Sequence, residues 1–207
     1  MKVDKLPTIK RLPAYLRILR DLSINGNEFV SSSHLAKALN IEPILVRKDL
    51  VMTGIVGTPR IGYHVSDLIG SIEDFLGWSD SLDVFLVGAG HLGTAILGYK
   101  EINNYGHKVV AAFDTDPRII DTTLHGIRVF DVAQLPELRD ELHVRLAILA
   151  VPAEQAQKVA DFLVEAGIQA IWNFTPVTLD VPEGVITHRE DLISGLAVLS
   201  VKMARHM

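Results

Sequence analysis

The stretch Asp83-Val84-Phe85-Leu86-Val87 runs without a break into Gly88-Ala89-Gly90-His91-Leu92-Gly93. A short apolar run that meets a Gly-x-Gly-x-x-Gly string is best accommodated as a buried strand, a tight turn and the start of a helix. In that setting each glycine has its own task. Gly88 makes the turn, Gly90 lets backbone approach a pyrophosphate, and Gly93 lets helix and strand pack closely. The amides of the helix N-terminus then face the phosphates.

The next apolar run, Val109 to Phe113, ends in Asp114, at about the 20-residue spacing a dinucleotide fingerprint requires. A carboxylate there accepts hydrogen bonds from ribose hydroxyls and repels a 2'-phosphate, which favours NAD over NADP. The alternative at this point is a Rossmann-like domain for another nucleotide or for coenzyme A. Further apolar runs at 128–130, 146–151 and 170–173 and a weaker one at 184–186 alternate with helical stretches at 93–104, 132–141 and 154–166. Continuous apolar strands separated by helices imply a parallel sheet covered on both faces, an α/β Rossmann-type NAD-binding domain. Ligands of such sheets lie beyond the carboxyl ends of the strands, so Ala150-Val151-Pro152 and Asn173-Phe174 border the nicotinamide half. The cofactor-binding set is thus Gly88, Ala89, Gly90, His91, Leu92, Gly93, Asp114, Ala150, Val151, Pro152, Asn173 and Phe174.

The first third of the chain has a different character. Residues 1–65 carry ten Lys and Arg against five Asp and Glu, a balance of +5, whereas the remainder carries ten against twenty, −10. A basic head on an acidic body suits a polyanion partner, because cations displace counterions from phosphates. Ile9, Leu12, Leu16, Leu19 and Leu22 recur at helical spacing, with Arg11, Arg17 and Arg20 on other faces. A second helix follows at about 33–39, capped by Ser32 or Ser33 and burying Leu35, Ala36 and Leu39. Pro43 opens a third, to about Met52, which buries Ile44 or Leu45 with Leu50 and carries Arg47 and Lys48. Two helices joined by a tight turn, the second bearing cations, are the parts of a helix-turn-helix. Gly54 to Val65 reads as a wing hairpin of two short strands presenting Arg60, and Val65 to Trp78 as a fourth helix.

The expected domains are a winged-helix unit at 1–78, the Rossmann domain at 79–187, and a terminal helix at 188–207, apolar at Leu192, Ile193, Leu196, Leu199 and Met203. That helix needs a surface to cover, on its own subunit or a partner. With no cysteine, disulfide and thiolate chemistry are excluded, so any response to redox state passes through a bound small molecule. The eight histidines are scattered without ligand spacing, and no metal is expected; His91 alone sits inside a site. No apolar run approaches the roughly 18 residues that span a bilayer, and Met1-Lys2-Val3-Asp4-Lys5 lacks the apolar stretch of a signal peptide, which gives the expectation of a cytoplasmic protein with no membrane contact. A catalytic apparatus and a substrate domain are not evident, so a regulator is expected rather than an enzyme. The alternative is an NAD-dependent oxidoreductase or nucleotide-binding subunit with an N-terminal protein-docking module.

Taken in order, Arg11-Leu12-Pro13, Ser31-Ser32, Val46-Arg47-Lys48-Asp49-Leu50, Gly62-Tyr63, the glycine loop, Ala111-Ala112-Phe113-Asp114 with Asp116-Pro117, Ala150-Val151-Pro152-Ala153-Glu154, Ala166-Gly167-Ile168 and Asn173-Phe174 with Pro176 make the chain resemble the Rex family of bacterial redox-sensing transcriptional repressors. The resemblance implies a homodimer with a domain-swapped C-terminal helix that binds double-stranded operator DNA when NAD+ prevails and releases it on binding NADH. It implies a DNA-contacting set of Arg11, Ser31, Ser32, Arg47, Lys48, Thr58, Arg60 and Tyr63, and a switch in which Asp191 trades partners between Tyr99 and Arg17. The chain departs from the family pattern at Val51-Met52-Thr53-Gly54, where Ser-Tyr-Phe-Gly is usual, and at Thr58-Pro59-Arg60, where Lys/Thr-Arg-Gly is common. Leu192 stands where an aromatic is frequent.

Overall fold

Contacts within the computed structural model, which describes residues 5–206, divide the chain between Asp80 and Ser81 into two compact units. That boundary lies two residues beyond the one drawn from sequence.

The first unit is built on α1 (Leu6–Ile24), whose Leu12, Tyr15, Leu16 and Leu19 are fully buried along one stripe. A short strand β1 (Phe29–Val30) leads to α2 (Ser32–Leu39), which is capped by Ser31 rather than by Ser32 or Ser33: its Oγ accepts the His34 amide at 3.1 Å. Asn40, in the left-handed conformation, ends α2 and opens the turn to α3 (Pro43–Val51). The core residues of α3 are Val46, Asp49 and Leu50, while Ile44 is exposed and Leu45 only half-buried, which corrects the phase expected for this helix. A nine-residue helix with apolar residues on every side, Ile44, Leu45, Val46, Leu50 and Val51, does not fix its own orientation, and here a buried acid helps to set it. Strand β2 (Tyr63–His64) pairs antiparallel with β1 and runs straight into α4 (Val65–Leu76), which buries Val65, Leu68 and Ile72.

The expected wing of two apolar strands is replaced by a compact loop. Thr58 and Gly62 exchange backbone hydrogen bonds at 2.7 and 2.9 Å, and Val56 stays exposed, so only Tyr63 and His64 enter a strand, and their partner is β1.

In the second unit, β3 (Leu82–Val87), α5 (His91–Gly98), a 3-10 turn (Lys100–Tyr105), β4 (His107–Asp114), β5 (Thr123–Leu124), β6 (Ile127–Asp131), α6 (Leu135–Leu142), β7 (Leu146–Leu149), α7 (Ala153–Glu165), β8 (Ala170–Asn173) and β9 (Ile186–Arg189) follow one another. The sheet order β5-β6-β4-β3-β7-β8-β9 contains six parallel strands in the 3-2-1-4-5-6 arrangement of dinucleotide-binding folds. One face packs Phe85, Val87, Ala111 and Phe113 against α6 and α7 residues; the other packs Val84, Leu86 and Ala112 against Ile96 of α5. Burial on both faces explains why the strands read as continuous apolar runs.

Four features differ from expectation. The last strand lies at Ile186–Arg189, two residues later than read, because it is exposed throughout and carries no apolar run. The stretch read as one helix after the glycine loop breaks at Tyr99 into α5 and the 3-10 turn. β5 was unforeseen: it pairs antiparallel with β6 through His125 and Gly126, both at positive φ. The last described element, α8 (Leu192–His206), starts four residues later than the terminal helix expected from 188, because the chain up to Arg189 is taken by β9. Among the described residues no helix is long and apolar enough to cross a membrane, and no cluster of His, Asp and Glu is able to hold a metal.

Candidate nucleotide and nucleic-acid sites

β3 and β7 are neighbours, and the chain leaves them in opposite directions, so their carboxyl ends open a crevice at the point where strand order reverses. Gly88 lines it with φ +94°, and a Cβ there would meet the Ala150 carbonyl oxygen at 2.5 Å. A Cβ on Gly93 would collide with the Gly88 carbonyl oxygen and lie 3.3 Å from Leu86, so α5 starts pressed against the end of β3. Gly90, the N-cap of α5, has open space where its Cβ would stand. The geometry therefore leaves room for a phosphate in front of the first-turn amides of α5, which have no acceptor within the helix.

Asp114, at the end of β4, is held by backbone. Its Oδ2 accepts the Ala89 amide at 2.8 Å, and its Oδ1 accepts the Thr115 and Asp116 amides at 2.7 and 3.0 Å. These bonds tie the glycine loop to the second strand and fix where the carboxylate points. A cavity of about 370 Å³ opens beside it, bringing together Gly88, Gly90, Asp114, Ala150, Val151 and Pro152 from the expected set. Its remaining walls, among them Ile119, Val132, Gln155 and Val159, were missed in the sequence. Val132 directly follows β6, and the rule placing ligands beyond strand ends would have found it. Asp116 is gripped by Arg118 through three contacts of 2.6 to 3.0 Å, and that guanidinium lowers its carboxyl to about pKa 2.

Other expected cofactor residues stand apart from the cavity lining. His91 and Leu92 form the exposed first turn of α5. Asn173 is buried and its amide folds its own loop: Nδ2 donates to the Val177 carbonyl at 2.7 Å and Oδ1 accepts the Thr175 amide at 2.8 Å. Phe174 packs against Trp172 with ring centroids 4.7 Å apart and the rings tilted by 55°.

In the first unit a groove of about 340 Å³ gathers Ser31, Ser32, Arg47, Thr58, Arg60 and Tyr63, six of the eight expected DNA contacts. Arg47 Nη1 lies 3.4 Å from Ser32 Oγ, which places the guanidinium at the N-terminus of α2. Arg60 occupies the tip of the wing loop with φ +66°. A non-glycine residue there costs on the order of 1 kcal/mol, and this is the position where glycine is common in the resembling family. Tyr63 packs its ring over Gly57, whose Cβ would lie 2.9 Å away. Lys48 is exposed on α3, beside this groove in sequence.

Arg11 faces the interior side of α3. Its Nε and Nη2 each reach Asp49 at 2.7 Å, Tyr15 Oη donates to Asp49 at 2.7 Å, and Thr8 Oγ1 donates at 2.8 Å. Asp49 is 1% exposed and the Arg11 side chain 26%. Burial alone pushes the Asp49 carboxyl up, but the hydrogen bonds from Arg11, Tyr15 and Thr8, with the Arg11 charge, outweigh it and leave the group below its ordinary value. Tyr15 is raised by burial and by Asp49. The cluster locks α3 onto α1.

Of the expected switch residues, Arg17 is exposed on α1, and Tyr99 Oη donates to Glu101 at 2.9 Å. Asp191 caps α8, its Oδ1 accepting the amides of Ile193 and Ser194 at 3.0 and 3.3 Å.

A family model described as "CoA binding domain" matches residues 79–177, and one described as "Putative DNA-binding protein N-terminus" matches 6–50. The redox-sensing transcriptional repressor Rex of Treponema denticola is 45% identical over 202 residues, covering 98% of this chain and 96% of that protein. Rex of Desulforamulus reducens is 38% identical over 206 residues, covering 99% and 98%. Among solved structures, RSP, a Rex-family repressor, in complex with beta-NAD+ and operator DNA aligns with TM-score 0.87 at 32% identity over 97% of this chain and 93% of that one. RSP in complex with beta-NADH aligns with TM-score 0.86 at 31% identity over 100% and 97%.

Proposed function

The chain belongs to the Rex family of redox-sensing transcriptional repressors, and from that premise we propose that it binds NADH or NAD+ at the glycine loop, binds double-stranded operator DNA through its N-terminal unit, and releases the DNA when NADH is bound. The observation that carries this reading is Asp114, whose three backbone donors aim a carboxylate into the cavity beside Gly88 and Gly90. That arrangement suits the ribose hydroxyls of an unphosphorylated adenosine. Arg118, the cation nearest in sequence that would meet a 2'-phosphate, is already engaged by Asp116. Both points favour NAD(H) over NADP(H), and the ribose carboxylate favours it over coenzyme A. The nicotinamide chemistry itself is not used for turnover in this reading, since the relatives named above are repressors; a repressor that meets bacterial DNA works in the cytoplasm.

In the first unit, Ser31, Ser32, Arg47 and Arg60 line one groove and provide phosphate contacts, while α3 enters the major groove. Arg11 supports α3 through Asp49 and is assigned a positioning part. Tyr63 and Thr58 shape the wing. The homodimer and its swapped helix are supported by α8, on which Ile193, Leu196, Leu199 and Met203 are each more than half exposed along one stripe. Asp191 then switches between Tyr99 and Arg17 with one carboxylate oxygen while the other keeps the cap of α8.

The test is retardation of promoter DNA titrated against the NADH/NAD+ ratio. Wild type is expected to hold DNA without NADH and to release it at micromolar NADH; Asp114→Ala is expected to hold DNA and to ignore NADH. A folded protein that retards no promoter fragment at low salt overturns the reading. Steady consumption of NADH with a small carbonyl substrate would favour the oxidoreductase alternative.

A further inference from the structure

We propose that Ile44 reads the 5-methyl group of a thymine in the major groove, an inference that rests on the DNA-binding reading above and deepens it. Ile44 lies in the first turn of α3, directly after Pro43, and is 51% exposed. Arg47 and Lys48 follow at i+3 and i+4 and are exposed with it, while Val46, Asp49 and Leu50 are buried. The lock of Asp49 by Arg11, Tyr15 and Thr8 sets this phase, so the outward position of Ile44 is imposed by the fold.

Arg47 leans toward Ser32 in the groove shared with Thr58 and Arg60, a place suited to a phosphate. A phosphate contact carries no sequence information. Base readout by α3 therefore falls to the exposed side chains that remain, Ile44, Lys48 and Val51. Recognition helices put their N-terminal residues against base edges, which selects Ile44 over Val51, the last residue of the helix. Ile44 offers neither donor nor acceptor. Against N7, O6, O4 or an exocyclic amine it would strip water and return nothing, whereas the thymine C5-methyl is the one apolar feature of the groove floor. An isoleucine at this position thus favours thymine and disfavours cytosine, which presents a bare C5 edge and an amine in the same region.

The probe is a duplex that the full-length protein itself selects from a pool with random centres, in which each thymine is then replaced singly by uracil, removing the methyl and nothing else. At one position per half-site, uracil is expected to weaken binding about four-fold, the worth of one buried methyl. In Ile44→Ala the same replacement is expected to change binding less than about 1.5-fold on that scale, while uracil elsewhere affects both proteins alike. Ile44→Val, which keeps the branch, should preserve most of the penalty. A selected duplex insensitive to uracil at every position, one lacking thymine in either half, or an equal penalty in wild type and Ile44→Ala overturns the assignment. Selection of no duplex at all overturns this inference together with the DNA-binding reading beneath it.

Discussion

On the function proposed above, the two units recognise their ligands by opposite means. In the nucleotide unit the backbone does most of the recognition: Gly88, Gly90 and Gly93 matter for the side chains they lack, and even Asp114 is aimed by three amides. In the N-terminal unit, on the same proposal, recognition belongs to side chains that stand out from α3 and the wing, held in place by a buried polar cluster behind them. A backbone site tolerates almost no change at its centre, whereas a side-chain site is retuned by single substitutions as long as the support holds.

The largest effect expected from this contrast is at Gly93. Any Cβ there meets the Gly88 carbonyl oxygen, which is backbone and cannot step aside. Gly93→Val is expected to destabilise the nucleotide unit by about 3 kcal/mol through overpacking, and to weaken NADH binding at least about 100-fold by displacing the α5 N-terminus. A fluorescence titration with NADH and a thermal unfolding curve check both; unchanged NADH affinity would break the comparison.

Next comes the support behind the reading head. Asp49→Ala leaves Arg11, Tyr15 and Thr8 without their acceptor, and because Arg11 is partly solvated the expected loss is about 2–3 kcal/mol rather than the full worth of a buried pair. DNA affinity should fall with it, while NADH affinity stays within about two-fold. The same group predicts acid sensitivity. Its folded pKa lies below the unfolded value, so its contribution is complete above the ordinary carboxylate range and is lost as pH falls through the folded pKa. Asp49→Asn should abolish that part of the acid dependence in a series of urea denaturation curves.

The smallest effect has two signs. Arg60→Gly relieves a left-handed side-chain residue and is expected to stabilise the N-terminal unit by about 1 kcal/mol. It should also weaken DNA binding and lower the slope of log affinity against log salt by about one per protomer. A stabilised variant with an unaltered salt slope would show that the wing tip does not touch phosphate.

What was legible in the sequence follows the same division. Strand, glycine loop and Asp114 were readable because a backbone site demands particular residues at particular spacings. The orientation of α3 was not, since Asp49 is a charged residue whose burial depends on Thr8, Arg11 and Tyr15 some 34 to 41 positions away. Asn173 reads as a cofactor neighbour from its place at the end of a strand; the structure adds that its amide folds its own loop through Val177 and Thr175, a local bond that strand-end reasoning does not weigh. β5 escaped because two residues make too short a run, although Gly126 marked the turn beside it.

α8 adds a consequence of another kind. A helix that leaves Ile193, Leu196, Leu199 and Met203 in water gains free energy when another surface covers it, so in the proposed homodimer part of what keeps this chain folded is supplied from outside it. In the homodimer proposed above that surface is a second copy, so the melting point becomes a function of how crowded the chain is with copies of itself, and dilution acts on it as heat does.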